Sequence, residues 1–162
     1  MAPGNRITCL DKTGTPFELE ECKKECADAL LEMYDDFVPM GESQGLPPLS
    51  ATERKRWVLR LLETSLNFIA WREGKIQGHC ALIPDANLQD GEYIIFVSQH
   101  ARNRGIGRQL TEMAIRKAKA IGLKRIWLTV EAYNFRAVRL YRSTGFLFID
   151  EGGRERTMVL GL

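Results

Sequence analysis

The chain is short of metal-binding chemistry. It has two histidines in 162 residues, and its four cysteines contain no CxxC pair. A structural zinc site needs His and Cys ligands at close, regular spacing, so no metal is expected. Cys22 and Cys26 are spaced i, i+4 and would share one face of a helix, but no histidine lies near them. They read as reduced structural thiols, with Cys9 and Cys80. Long apolar runs are also missing. None approaches the ~18 residues of a membrane span, and the N-terminus carries no apolar signal segment, so the expected location is cytoplasmic with no membrane partner. A Walker A loop is excluded because Gly-Lys-Ser/Thr does not occur. There are no repeats and no low-complexity tracts.

What is present suits a globular protein: 44% hydrophobic and 27% charged residues, read as one domain over residues 1–162. The net charge of +2 hides an asymmetry. Residues 18–42 are strongly acidic, relieved only by Lys23 and Lys24, whereas residues 102–142 are strongly basic, opposed only by Glu112 and Glu131. Solvated helix faces would account for this pattern. So would a polyanion at the second region and a cationic molecule at the first.

Periodicity predicts a strand over 6–10 and a helix over 19–37, on which Cys22, Cys26, Leu30, Met33 and Phe37 recur at helical spacing. A loop from Pro39 to Leu49 follows, and then a helix capped by Ser50 or Thr52. Strands over 66–71 and 75–83 form a hairpin around Arg72-Glu73-Gly74, and another strand ends at Val97. Beyond it lie a helix to about Ile121, a strand over 125–130, a helix from Asn134 to Ser143 and a last hairpin. The sum is an α/β fold: a mixed, mostly antiparallel sheet with one central βαβ unit and flanking helices.

Within the βαβ unit, the strand ending at Phe96-Val97 meets Arg102-Asn103-Arg104-Gly105-Ile106-Gly107-Arg108 at the start of a helix. Two glycines one residue apart allow a tight turn with several N–H groups pointing one way, and the helix dipole and three arginines add positive charge. That is a pyrophosphate cradle. It is no Rossmann fingerprint: Leu110 stands at the third glycine position, and no acidic residue follows at the usual distance. About thirty residues on comes Asn134-Phe135-Arg136-Ala137-Val138-Arg139-Leu140-Tyr141. The two motifs together, with a strand between them, resemble the GNAT acetyltransferase superfamily over roughly Leu66 to Leu160.

The resemblance implies acetyl-coenzyme A as co-substrate. Its pyrophosphate would lie on the amides of Arg102 through Arg108, its pantetheine arm along Phe96 and Val97, and Asn134 would help to position it. Tyr141 would be the general acid that protonates the departing thiolate. Glu92, at the start of the strand before the loop and next to Asp90, is the candidate general base. His79 reads as a satisfied sheet residue and His100 as solvent-facing. No cysteine or serine stands at a nucleophile position, so the resemblance implies direct attack by a primary amine in a ternary complex. A longer acyl group and a non-catalytic coenzyme A-binding module stay open. The acceptor, a small amine or a protein lysine or N-terminus, would meet the Pro39–Leu49 loop, where Asp35 and Asp36 favour a cation. No nucleic-acid recognition motif occurs. Edge strands of such a sheet leave room for a homodimer.

Overall fold

The computed structural model describes residues 5–41 and 45–162. Eight strands form one sheet: β1 (Ile7–Leu10), β2 (Pro16–Cys22), β3 (Leu66–Arg72), β4 (Lys75–Pro84), β5 (Asp90–Val97), β6 (Arg125–Glu131), β7 (Leu147–Phe148) and β8 (Glu155–Gly161). The helices are α1 (Ala27–Asp35), α2 (Ala51–Thr64), α3 (Ile106–Ala120) and α4 (Phe135–Ser143). The strand order is β1-β2-β3-β4-β5-β6-β8-β7, and every neighbouring pair is antiparallel except β5 with β6. That single parallel pair is the expected βαβ unit, with α3 as its crossover.

Strand alternation divides the core into two layers. Tyr93 of β5 packs beneath α3 and α4 with Leu110, Ala114 and Tyr141. Phe96 faces the opposite side and joins Leu30, Tyr34, Val58 and Leu62 of α1 and α2. Close approach seats α3 on the sheet: a Cβ at Gly78 would come within 2.9 Å of Leu110 Cδ1. Ser50 caps α2 by accepting from the Glu53 amide at 3.4 Å, and Asn134 caps α4 by accepting from the Ala137 amide at 3.2 Å.

The N-terminal third departs from the sequence reading. The helix expected over 19–37 is β2, then a short 3-10 turn over Lys24–Cys26, then α1. Phe17 and Leu19 alternate into the core, and β2 pairs with β3, far along the chain. That long-range ladder overrides the helical spacing, which cannot report it. Glu20 sits in the new strand because its carboxylate accepts from Trp71 Nε1 at 2.8 Å. Cys22 and Cys26 are likewise not the free thiols expected. The turn brings their Cα atoms to 6.1 Å, and the two sulfurs are paired. Part of the Pro39–Leu49 loop, including Glu42, lies outside the described residues.

Candidate active site

The parallel ladder between β5 and β6 is short. It pairs Asp90–Glu92 with Arg125–Trp127 and then stops, although β5 continues to Val97 and β6 to Glu131. Beyond the last rung the strands face each other without a ladder, which leaves backbone groups in the middle of a sheet in need of partners. The slot opens toward the loop that joins β5 to α3.

That loop is built to leave donors free. Among the described residues, no backbone amide from Arg102 through Arg108 donates to a protein acceptor. Asn103 and Gly105 adopt positive φ, 61° and 91°, and Gly105 is the N-cap of α3. Its lack of a side chain leaves the turn open, and the helix dipole adds partial positive charge at the same place. A hydrogen-bonded chain braces the first turn of α3 from below. Thr111 Oγ1 donates to the Gly107 carbonyl at 2.7 Å and accepts from the Tyr93 hydroxyl at 2.9 Å. Gly107 is hemmed in by Leu140, Val97 and Ile95, so α3, α4 and β5 meet closely there.

The side chains of the loop behave differently from one another. Arg102 turns away from the free amides. Its Nε donates to the Val97 carbonyl at 3.0 Å, its Nη2 to the Val38 carbonyl, and its guanidinium lies 5.3 Å from the Phe37 ring centre. Burial and the Arg136 charge lower its pKa. Arg108 pairs with Glu112 at 3.0 Å on the helix surface. Arg104 has no ion-pair partner among the described residues. Sequence reasoning missed Lys12. The β1–β2 turn lays it against the loop: its amide donates to the Arg104 carbonyl at 2.8 Å, and a Cβ on Gly105 would meet its Cγ at 3.3 Å. Sequence spacing carries no signal of this, because a hairpin far upstream delivers the residue.

Tyr141 and Glu92 lie on opposite faces of the sheet beside the slot. The Tyr141 ring packs edge-on to Phe146 and Tyr93, at 5.8 and 6.5 Å between centres, on the α3–α4 side. Its hydroxyl has no hydrogen-bond partner among the described residues, yet it is not among the sealed, unpaired side-chain atoms. Burial pushes its pKa above the ordinary tyrosine value, so the proton stays on at neutral pH. Glu92 stands opposite Trp127 at the last rung, on the α1–α2 side by strand alternation. It is half-buried, and burial raises its pKa. Phe96 sends its ring into an edge-to-face cluster with Tyr34, Phe37 and Trp57, so only its backbone is left for a ligand. Asn134 spends its side-chain oxygen on the α4 cap.

His79 is fully committed to the fold. Asn67 Nδ2 donates to the Leu61 and Ser65 carbonyls, each at 2.9 Å, so its Oδ1 faces His79 Nε2 at 2.9 Å and accepts from it. That fixes Nδ1 as the acceptor of the Tyr34 hydroxyl at 2.6 Å, and the ring is neutral. Burial pulls its pKa down to about 3. His100 is exposed and meets Asp36 at 3.0 Å. Asp35 holds the buried Arg54 at 2.7 Å. Of the two acidic residues at the end of α1, Asp35 therefore has an arginine partner and Asp36 only the exposed imidazole.

The acetyltransferase (GNAT) family model matches residues 27–146. The mycothiol acetyltransferase of Beutenbergia cavernae is 43% identical over 65 residues, which are 40% of this chain and 21% of that protein. The chain thus aligns with about a fifth of that relative's length. Among solved structures, the GNAT domain of Streptomyces lividans PAT superposes with a TM-score of 0.81 at 16% identity, covering 97% of each chain. A GNAT superfamily phosphinothricin acetyltransferase from Sinorhizobium meliloti, in complex with acetyl-CoA, gives a TM-score of 0.72 at 20% identity, covering 89% of this chain and 87% of that one.

Proposed function

Because the chain belongs to the GNAT acetyltransferase family, we propose that it moves an acetyl group from acetyl-coenzyme A to a primary amine by direct attack. One observation carries the reading: the slot between β5 and β6 runs into the unpaired amides of Arg102 through Arg108. Those amides and the α3 N-terminus bind the donor's pyrophosphate, and the β5 backbone at Phe96 and Val97 pairs with the pantetheine arm. Asn134 helps to position the donor at the slot. Tyr141 faces the donor side of the slot and Glu92 the acceptor side. Glu92, its basicity raised by burial, takes a proton from the acceptor ammonium. The amine nitrogen bonds to the acetyl carbon as the carbon–sulfur bond breaks, Tyr141 gives its proton to the departing sulfur, and the nitrogen sheds its second proton to solvent, from which Tyr141 is reprotonated. The family relationship and a neighbour solved with acetyl-CoA support the donor.

The acceptor reading is a cationic amine. Asp35 pairs with Arg54 and Asp36 stays largely exposed beside His100, and the sheet face that carries Glu92 adds further negative charge. Glu131 and Glu155 stand opposite each other across β6 and β8 on that face, and Arg154 reaches Glu131 only at 3.9 Å. Two like charges on one rung destabilise each other and favour a visiting cation. The test is thiol release from acetyl-CoA across a panel of amines and peptides. Turnover with cationic amines, and a higher KM for them in Glu131→Gln/Glu155→Gln, is the expected result. Acetyl-CoA binding without turnover of any amine would contradict the reading.

A further inference from the structure

We infer that Lys12, on the β1–β2 turn, is a donor-binding residue that places its ammonium on a phosphate of the acyl donor; this rests on the acetyl-CoA reading above. Lys12 lies outside residues 27–146, the segment that the family model matches. Its position is held by backbone. The Lys12 amide donates to the Arg104 carbonyl at 2.8 Å, and Gln109 Nε2 donates to the Leu10 carbonyl at 3.1 Å. The turn itself is tied down by the Asp11 carboxylate. Asp11 accepts from the amides of Thr13 and Thr15 at 2.8 and 3.0 Å and pairs with Arg72 at 2.7 Å.

From that anchored backbone the Lys12 side chain runs along Gly105. A Cβ built on the glycine would lie 3.3 Å from Lys12 Cγ and 3.6 Å from its Cε. The ammonium therefore sits beside the turn whose amides have no protein partner among the described residues. It makes no ion pair with any carboxylate among the described residues. Such a charge adds to that of Arg104, which has no ion-pair partner among the described residues, whereas Arg102 is spent on two carbonyls and Arg108 is paired with Glu112. A free cation beside open amides gives a bound phosphate full charge as well as hydrogen bonds. Phosphate occurs twice in the donor, as the pyrophosphate and as the 3′-phosphate ester, and the two are separable.

The experiment is calorimetric titration of acetyl-CoA and of its 3′-dephospho form into the full chain, as wild type, Lys12→Met and Lys12→Arg. The expected result is about tenfold weaker acetyl-CoA binding in Lys12→Met, with the melting temperature of the free protein unchanged. Lys12→Arg recovers most of the loss, and the gap to wild type narrows at high salt. If the gap persists with the dephospho donor, Lys12 holds the pyrophosphate; if it vanishes, Lys12 holds the 3′-phosphate. Equal affinity in wild type and Lys12→Met overturns the inference while leaving the acetyl-CoA reading intact. So does a loss that ignores salt and is shared by Lys12→Arg, which would mark a packing role against Gly105. A wild-type protein that does not bind acetyl-CoA overturns both readings.

Discussion

Two polar clusters, one beside β5 in the α1–α2 layer and one in the loop that follows its end, are built in opposite ways. The Tyr34–His79–Asn67 knot lies in the α1–α2 layer, and every donor and acceptor that its three side chains present there has a partner. The β5–α3 loop leaves its amides from Arg102 through Arg108 without protein acceptors among the described residues. Burying a polar group without a partner costs about 1–3 kcal/mol, so the knot closes on itself. The loop avoids that cost by staying at the surface, where water or a ligand can satisfy its donors. The closed cluster serves the fold, and the open one, in the proposed function, receives the donor. Mutations in the two should therefore separate, with stability moving in one and donor binding or turnover in the other.

The largest expected effect is on turnover. Tyr141→Phe removes the proposed acid and keeps the ring, so kcat should fall by about 10²-fold or more while melting temperature and acetyl-CoA affinity change little. A change confined to stability would assign Tyr141 to packing against Phe146. Next is Gly105→Val, which forces a β-branched residue into φ 91° and presses on Lys12. Acetyl-CoA affinity should weaken by more than about tenfold, and the melting shift produced by acetyl-CoA should disappear. Unchanged affinity would detach the loop from the donor.

The closed cluster should respond the other way. Tyr34→Phe leaves His79 Nδ1 buried without a donor and should cost about 1–3 kcal/mol in denaturant unfolding, with acetyl-CoA affinity unaltered. The smallest expected effect, taken per pH unit, comes from His79 itself. Its unfolded imidazole takes up a proton below about 6.5, whereas the folded one resists protonation down to about 3. Its contribution to stability is therefore complete above the unfolded value. It declines as pH falls toward 3, by up to about 1.4 kcal/mol per unit. Denaturant midpoints between pH 7 and 5 should follow that slope in the wild type and lose it in His79→Gln.

The difference between the clusters also explains what could be read from the chain. The open loop is local: strand, Gly105-x-Gly107 and helix start are contiguous, and Asn134 and Tyr141 share one short helix. Sequence alone therefore locates the turn at the start of α3, and Asn134 and Tyr141 as the cap and a buried position of α4. The role of Arg102 was less visible, because its partners are the carbonyls of Val97 and Val38, the latter far upstream. Residues 19–22 of β2 read as helix from their spacing because the evidence for the strand is a ladder to β3. The knot joins residues from α1, β3 and β4, so the sequence marks His79 as a satisfied sheet residue without revealing its partners. Lys12 reaches Gly105 through a hairpin contact that no spacing encodes. Local geometry can be read along the chain; long-range pairing cannot.

The most direct test of the central claim, that the unpaired amides are the donor site, is an acetyl-CoA titration followed by amide nuclear magnetic resonance. The account predicts the largest shifts at residues 102–108, with the amides of Tyr34, Asn67 and His79 nearly unmoved. Saturating acetyl-CoA that shifts the α1–α2 side and leaves residues 102–108 in place would contradict it.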